Sequence, residues 1–219
     1  MKLRYLPWIR FAVLAISIGL YPLTYYLVDM HGKVLLSSKT KELLDNVVWH
    51  TAFYIHITFG GIALLVGWSQ FSKGLREKYL KLHRNIGKVY VVSVMLSSIA
   101  GFYIALFASG GITSTLGFGT LASLWFFTVM MPYTSILKKN FKQHENWMIR
   151  NYALTFAAVT LRVYLPLSQV AHFDFITSYR VISCLCWVPN LIIAEIIINK
   201  RAAIPAYAVK PKTIEYFQD

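Results

Sequence analysis

Charge is scarce in this chain. Aspartate, glutamate, lysine and arginine together make up 14% of its 219 residues, whereas soluble domains approach about a quarter, so an ordinary soluble domain is excluded. Acidic residues are scarcest, nine against twenty-two lysines and arginines, and no carboxylate pair is placed for acid–base hydrolysis. No serine or cysteine stands beside a histidine base, which removes the common nucleophilic enzymes. A glycine-rich phosphate loop, a zinc signature and an acidic metal-binding repeat are missing as well. The two cysteines, Cys184 and Cys186, lie in an apolar run two positions apart, on different faces of a helix, which argues against a disulfide between them.

What the chain has in quantity is apolar surface: 57% of residues are hydrophobic and 16% aromatic. Six stretches, about 8–28, 48–70, 86–108, 118–137, 148–171 and 179–198, are long and apolar enough to cross a bilayer. The expected fold is all-α, a polytopic bundle of about six transmembrane helices forming one domain over residues 1–219, with 199–219 as a short tail. The first run follows Met-Lys-Leu-Arg but continues through Tyr25, Tyr26, Leu27 and Val28 without a small-residue cleavage site, and reads as a retained helix. Its partner is the lipid bilayer. The formal charge of +13 does not indicate nucleic acid, because the basic residues occupy the gaps between apolar runs and do not pattern a soluble surface. Seventeen of the twenty-two fall on one side, in the N-terminus, around Lys73–Lys88, around Lys138–Arg150, and from Lys200 onward. The positive-inside rule then puts that side, and both termini, in the cytoplasm.

On the opposite side, the connection from Asp29 to Val47 is nearly neutral and is expected to carry a short surface helix, while Ser109–Gly117, rich in Gly, Ser and Thr, reads as a flexible tight loop. Pro132, Pro166 and Pro189 fall inside spans four, five and six, where proline kinks helices. Small residues every fourth position, Ser97, Gly101 and Ala105, then Ala153 and Ala157, read as packing seams. Trp8, Trp49, Trp68 and Trp147 lie near span ends and fit interfacial anchoring.

Within so apolar a chain the ionisable residues are informative. His31, His50 and His172 lie in or beside loops and simply meet water. His56 lies about eight residues into span two, roughly 12 Å from the boundary, where an ionisable group is a functional candidate or a bonded structural histidine. Arg162, about fourteen residues into span five, is the strongest anomaly, since intramembrane arginines face the bundle interior or a wet cavity. Together His56 and Arg162 outline a site for a carboxylate, phosphate or quinone oxygen, to which Tyr54, Tyr164 and Gln169 could add hydrogen bonds. His83 and His144 open spans three and five at the cytoplasmic edge. Two histidines at one level could clamp a b-type haem, with Arg76, Arg84 and Arg150 suited to propionates or another anionic headgroup; the alternative is that all are ordinary edge residues obeying the charge rule. Glu195 can reach water or pair with Lys200 or Arg201.

The string His56-Ile-Thr-Phe-Gly-Gly through Trp68-Ser-Gln70-Phe71, then Leu75-Arg76 and His83-Arg84-Asn-Ile-Gly87-Lys-Val-Tyr90, resembles an uncharacterised bacterial family of predicted membrane proteins, domain of unknown function 2306. A second block, His144-Glu-Asn-Trp147-Met148-Ile-Arg150-Asn-Tyr152-Ala-Leu-Thr155, continues to Arg162. The resemblance covers spans two to five, implies a multi-pass protein of a bacterial cytoplasmic membrane, and brings no activity with it; within it Gln70 and Arg76 join Arg162, His56 and Tyr164 as candidate substrate contacts. A looser similarity is to ascorbate-type transmembrane b-type cytochromes, in which facing helices hold haems between histidines. Span four has no histidine, so one haem at most follows. The first expectation is therefore a redox protein with one b-type haem or a quinone, using His83, His144, His56, Arg84 and Arg150; the alternatives are a haem-free transporter or lipid- or anion-binding protein, and a non-catalytic scaffold or subunit.

Overall fold

A computed structural model describes residues 6–27, 36 and 38–203. The described residues form helices joined by short turns, with no strand, and six helical stretches are long and apolar enough to cross a membrane: Trp8–Leu27, Val47–Phe71, Leu80–Ala105, Ile112–Leu137, Phe141–Val170 and Phe175–Ala202. His31 and residues 204–219 of the expected tail lie outside the described residues.

Span one joins α1 (Leu6–Leu20) to α2 (Thr24–Leu27) through a tight turn at Tyr21–Leu23. The short helix expected in the first connection is α3 (Lys41–Leu44), whose first turn is capped by the Thr40 side chain. Span two is α4 (Val47–Gly67), capped by Asn46 and ending in a tighter turn, Trp68–Phe71. After α5 (Lys73–Lys78) come α6 (Leu80–Ala105) and α7 (Ile112–Leu137). Span five is α8 (Phe141–Thr155) followed by α9 (Ala157–Val170), and span six is α10 (Phe175–Leu185) followed by α11 (Val188–Ala202).

Several helices run past the apolar stretches. Span three starts at Leu80, not near 86, and span five at Phe141, not near 148, because backbone hydrogen bonding continues through polar residues that a hydropathy criterion rejects. The expected loop Ser109–Gly117 shrinks for the same reason: α7 already begins at Ile112, and the chain reverses on Gly110 and Gly111, both at positive φ (92° and 71°), a conformation other residues adopt only under strain. Pro132 and Pro166 do lie inside α7 and α9. Pro189 instead stands in the first turn of α11, after a break at Trp187. There its missing N–H costs nothing.

In lipid, apolar burial hardly drives helices together, and close packing and interhelical hydrogen bonds take over. The outer surface is accordingly greasy, with Val92, Ile99, Leu167 and Ile193 all exposed. Inside, Tyr90, Val94, Trp125, Val129, Tyr152 and Leu154 form the central cluster, threaded by a polar network. Asn151, fully buried, donates to Trp125 O (2.9 Å) and Thr128 Oγ1 (2.8 Å) and accepts from Tyr90 Oη (2.6 Å). Thr155 Oγ1 takes the Trp125 indole N–H (2.9 Å) and lies 2.8 Å from Tyr90 Oη. These bonds tie α6, α7 and α8 into one rigid layer.

Candidate functional site

A cavity of about 200 Å³ lies above that layer, toward the end of the bundle away from the basic loops. Every span contributes to its wall, from Pro22 and Tyr25 in the first to Tyr179 and Cys186 in the last. Leu36 and Lys39, from the first connection, also line it. Trp125 and Thr155 belong both to the wall and to the polar network.

His56 and Arg162 meet at this cavity. His56 is nine positions from the start of α4 and Arg162 eight from the end of α9, so both sit about 12 to 14 Å from that end at 1.5 Å per residue. Protein surrounds both residues, yet each keeps some accessible surface. That surface belongs to the cavity wall.

The histidine is oriented by span three. Its Nδ1 lies 2.9 Å from Ser97 O, so the ring donates there and carries its proton on Nδ1; Ser97 Oγ donates in turn to His56 O at 2.7 Å. Nε2 is left as a lone-pair acceptor. Gly101, one turn beyond Ser97, makes room for the ring: a Cβ there would stand 2.7 Å from His56 Nδ1. The small-residue stripe of span three is thus both a seam and a seat.

Arg162 is held more loosely. One guanidinium nitrogen donates to Ala158 O at 3.1 Å, and the Tyr21 ring lies 4.8 Å from Cζ. No carboxylate pairs with it among the described residues. A desolvated cation without a counter-ion is costly, and its remaining N–H donors are available to an anionic ligand. Lys39 is the second cation on the wall; its Nζ donates to Phe107 O, and burial pushes its pKa down from the ordinary 10.5 to about 8. Lys39 belongs to the nearly neutral first connection, and nothing in the order of residues folds that loop over the bundle.

The other expected contacts go elsewhere. Tyr164 and Gln169 are exposed and not part of the wall, and Tyr54 donates to Tyr25 O. Trp49 is no interfacial anchor: it is buried against Phe53 with the rings 5.3 Å apart, and lines the cavity. Gln70 is buried at the basic end, its Nε2 unbonded.

Those basic-end residues form a different kind of assembly. Glu145 takes Arg76 at 2.9 Å and Arg201 at 3.1 Å. Arg150 grips Glu195 with two bonds, 2.5 and 2.9 Å, and lies over Trp147. Of the two expectations for Glu195, the side chain stays partly exposed, and the pairing with Lys200 or Arg201 is corrected to one with Arg150; Arg76 and Arg150 are thus committed to carboxylates. The forked guanidinium of Arg150 is satisfied by the protein itself. Arg84 is exposed. His144 Nδ1 lies 3.1 Å from Pro132 O, and His83 Nδ1 is buried without a partner. A haem ligand holds its iron through one nitrogen and is oriented by a bond at the other; His144 fits that pattern and His83 does not. The described cavities do not reach either histidine. This arrangement does not support the haem clamp.

No curated protein and no solved structure matches the chain. The family model of predicted membrane proteins designated DUF2306 matches residues 53–198, about two thirds of the sequence, from the first third of span two to near the end of span six. The match embraces His56, the seat at Ser97 and Gly101, the buried network and Arg162, and the chain belongs to this family of predicted membrane proteins.

Proposed function

We propose that this protein binds a small organic anion inside the membrane, at the cavity shared by His56, Arg162 and Lys39. Arg162 carries the reading: a cation on a cavity wall, hydrogen-bonded to a backbone carbonyl and set over the Tyr21 ring but paired with no carboxylate among the described residues, invites a carboxylate or phosphonate. The volume of about 200 Å³ is below the range of about 300 to 1,000 Å³ typical of drug-sized ligands, so the ligand is small, and its apolar, aromatic lining favours a hydrophobic body. With the basic ends in the cytoplasm of a bacterial cell, the site opens in the outer half of the inner membrane.

The test is saturable binding of benzoate to the purified protein in nanodiscs, measured by calorimetry. Wild-type protein binds, and Arg162→Met weakens binding at least thirtyfold. Equal binding by the variant, or none by the wild type, overturns the reading. A quinone ring is the second reading, favoured by the His56 tautomer, since an unprotonated Nε2 accepts from a quinol hydroxyl. A short-chain quinol that binds with the same Arg162 dependence, where benzoate does not, selects it.

A further inference from the structure

We infer that the protein is a carrier in which the outer hairpin α9–α10 swings about paired helix breaks, opening and closing the Arg162 site; this rests on the anion-binding reading above. Spans five and six are each discontinuous, at Phe156 and at Cys186–Trp187. Trp187 has left helical geometry, with φ −125°, and Pro189 just beyond it has no N–H to continue the ladder. The two breaks sit beside one another, because a single side chain spans them. Asn190 Nδ2 lies within bonding distance of Ala153 O (3.2 Å), Thr160 Oγ1 (3.0 Å) and Cys186 O (3.1 Å). Two N–H bonds are shared among three acceptors, drawn from α8, α9 and the α10–α11 junction.

The pieces on either side pair accordingly. Below the breaks, α8 packs with α11, clasped by Arg150 and Glu195; above them, α9 packs with α10, and α10 also rests on α7 and the turn before it, where Arg180 Nε donates to Gly110 O (2.7 Å) and Tyr179 lies against Phe118, the contacts that opening must part. The upper pair is a compact hairpin, its turn closed by the Asp174 carboxylate accepting from Thr177 N (2.8 Å). It carries Arg162 and Tyr179 to the cavity. The facing wall, with His56, Gly101 and Trp125, is immobilised by the Ser97 seat and the Asn151 network. The cavity thus has one wall locked to the bundle and one mounted on a hinge. Discontinuous helices at a midplane site are the usual construction of secondary transporters, where one unit moves against another around the ligand.

Wild-type protein and Asn190→Ala are reconstituted in liposomes, and labelled benzoate is followed both as binding and as uptake. The expected result is uptake by the wild type and, in the variant, uptake at least tenfold slower with binding within threefold. Binding without uptake by the wild type, or unchanged uptake in the variant, overturns the carrier while leaving the binding reading intact. Absence of wild-type binding overturns both. Should Asn190→Ala fail to fold, spin labels at Leu167→Cys on α9 and Ile193→Cys on α11, both exposed positions, with Cys184 and Cys186 replaced by serine, report the motion directly. Two distance populations whose ratio changes at least twofold with saturating benzoate support the hinge, and a single unchanged distribution sinks it.

Discussion

The two ends of the bundle hold their charges in opposite ways. At the basic end, Arg76, Arg150 and Arg201 each find a carboxylate, Glu145 or Glu195. At the other end, Arg162 and Lys39 stand on a cavity wall with backbone carbonyls and, for Arg162, the Tyr21 ring as partners among the described residues. The number of basic residues therefore marks topology and says little about chemistry; a cation on a cavity wall without its counter-ion marks the site. Where the protein satisfies an arginine internally, a ligand would have to displace the carboxylate that already holds it.

The largest perturbation should come from the layer between the ends. Asn151→Leu leaves the Trp125 carbonyl and the Tyr90 and Thr128 hydroxyls short of partners, which costs about 3 kcal/mol in total and lowers Tm by roughly 6 to 12 °C for a chain of this size. A change under about 2 °C would mean the network does not lock the fixed wall. At the basic end, Arg150→Met strands Glu195 and lowers stability by about 1 to 2 kcal/mol, a figure reduced because Glu195 is partly exposed. Benzoate affinity is unchanged, and Arg150→Met with Glu195→Leu recovers most of the loss. At the opposite end the sign reverses: Arg162→Met removes an uncompensated cation and raises Tm by about 2 to 4 °C while binding is lost. If both arginine variants lowered Tm alike, the contrast between the ends would be wrong.

Lys39 gives a smaller effect, read against pH. Its pKa is lowered to about 8 by burial, so its charge is present below about 8 and lost above it, while a lysine in the unfolded chain keeps its proton to about 10.4. Between those values the unfolded chain binds more protons, and stability rises with pH. Attraction for an anion falls over the same rise. Benzoate affinity should drop about three- to tenfold between pH 7 and 9, with its midpoint near 8, and Lys39→Met should abolish the dependence. A flat wild-type profile would remove Lys39 from the site. The smallest effect is expected at His83, whose buried Nδ1 has no partner to lose; His83→Ala should shift Tm by less than about 2 °C and leave binding unchanged.

The linear sequence by itself determined the class of this protein. Six apolar stretches of spanning length can only be satisfied as helices in lipid, and that constraint is local, so hydropathy finds each span although it misplaces ends such as Leu80 and Ile112. It also singled out His56 and Arg162, because an ionisable side chain in an apolar run is conspicuous without any fold. What only the tertiary structure decided is which charges are spent. Arg76 and Glu145 are 69 positions apart, Arg150 and Glu195 are 45, and no pattern in the order of residues records that they meet. Nor does it record that Lys39 closes on Phe107, or that Asn190 bridges breaks in two spans. Those contacts arise from helix packing between distant segments, and they separate a satisfied arginine from one that awaits a ligand.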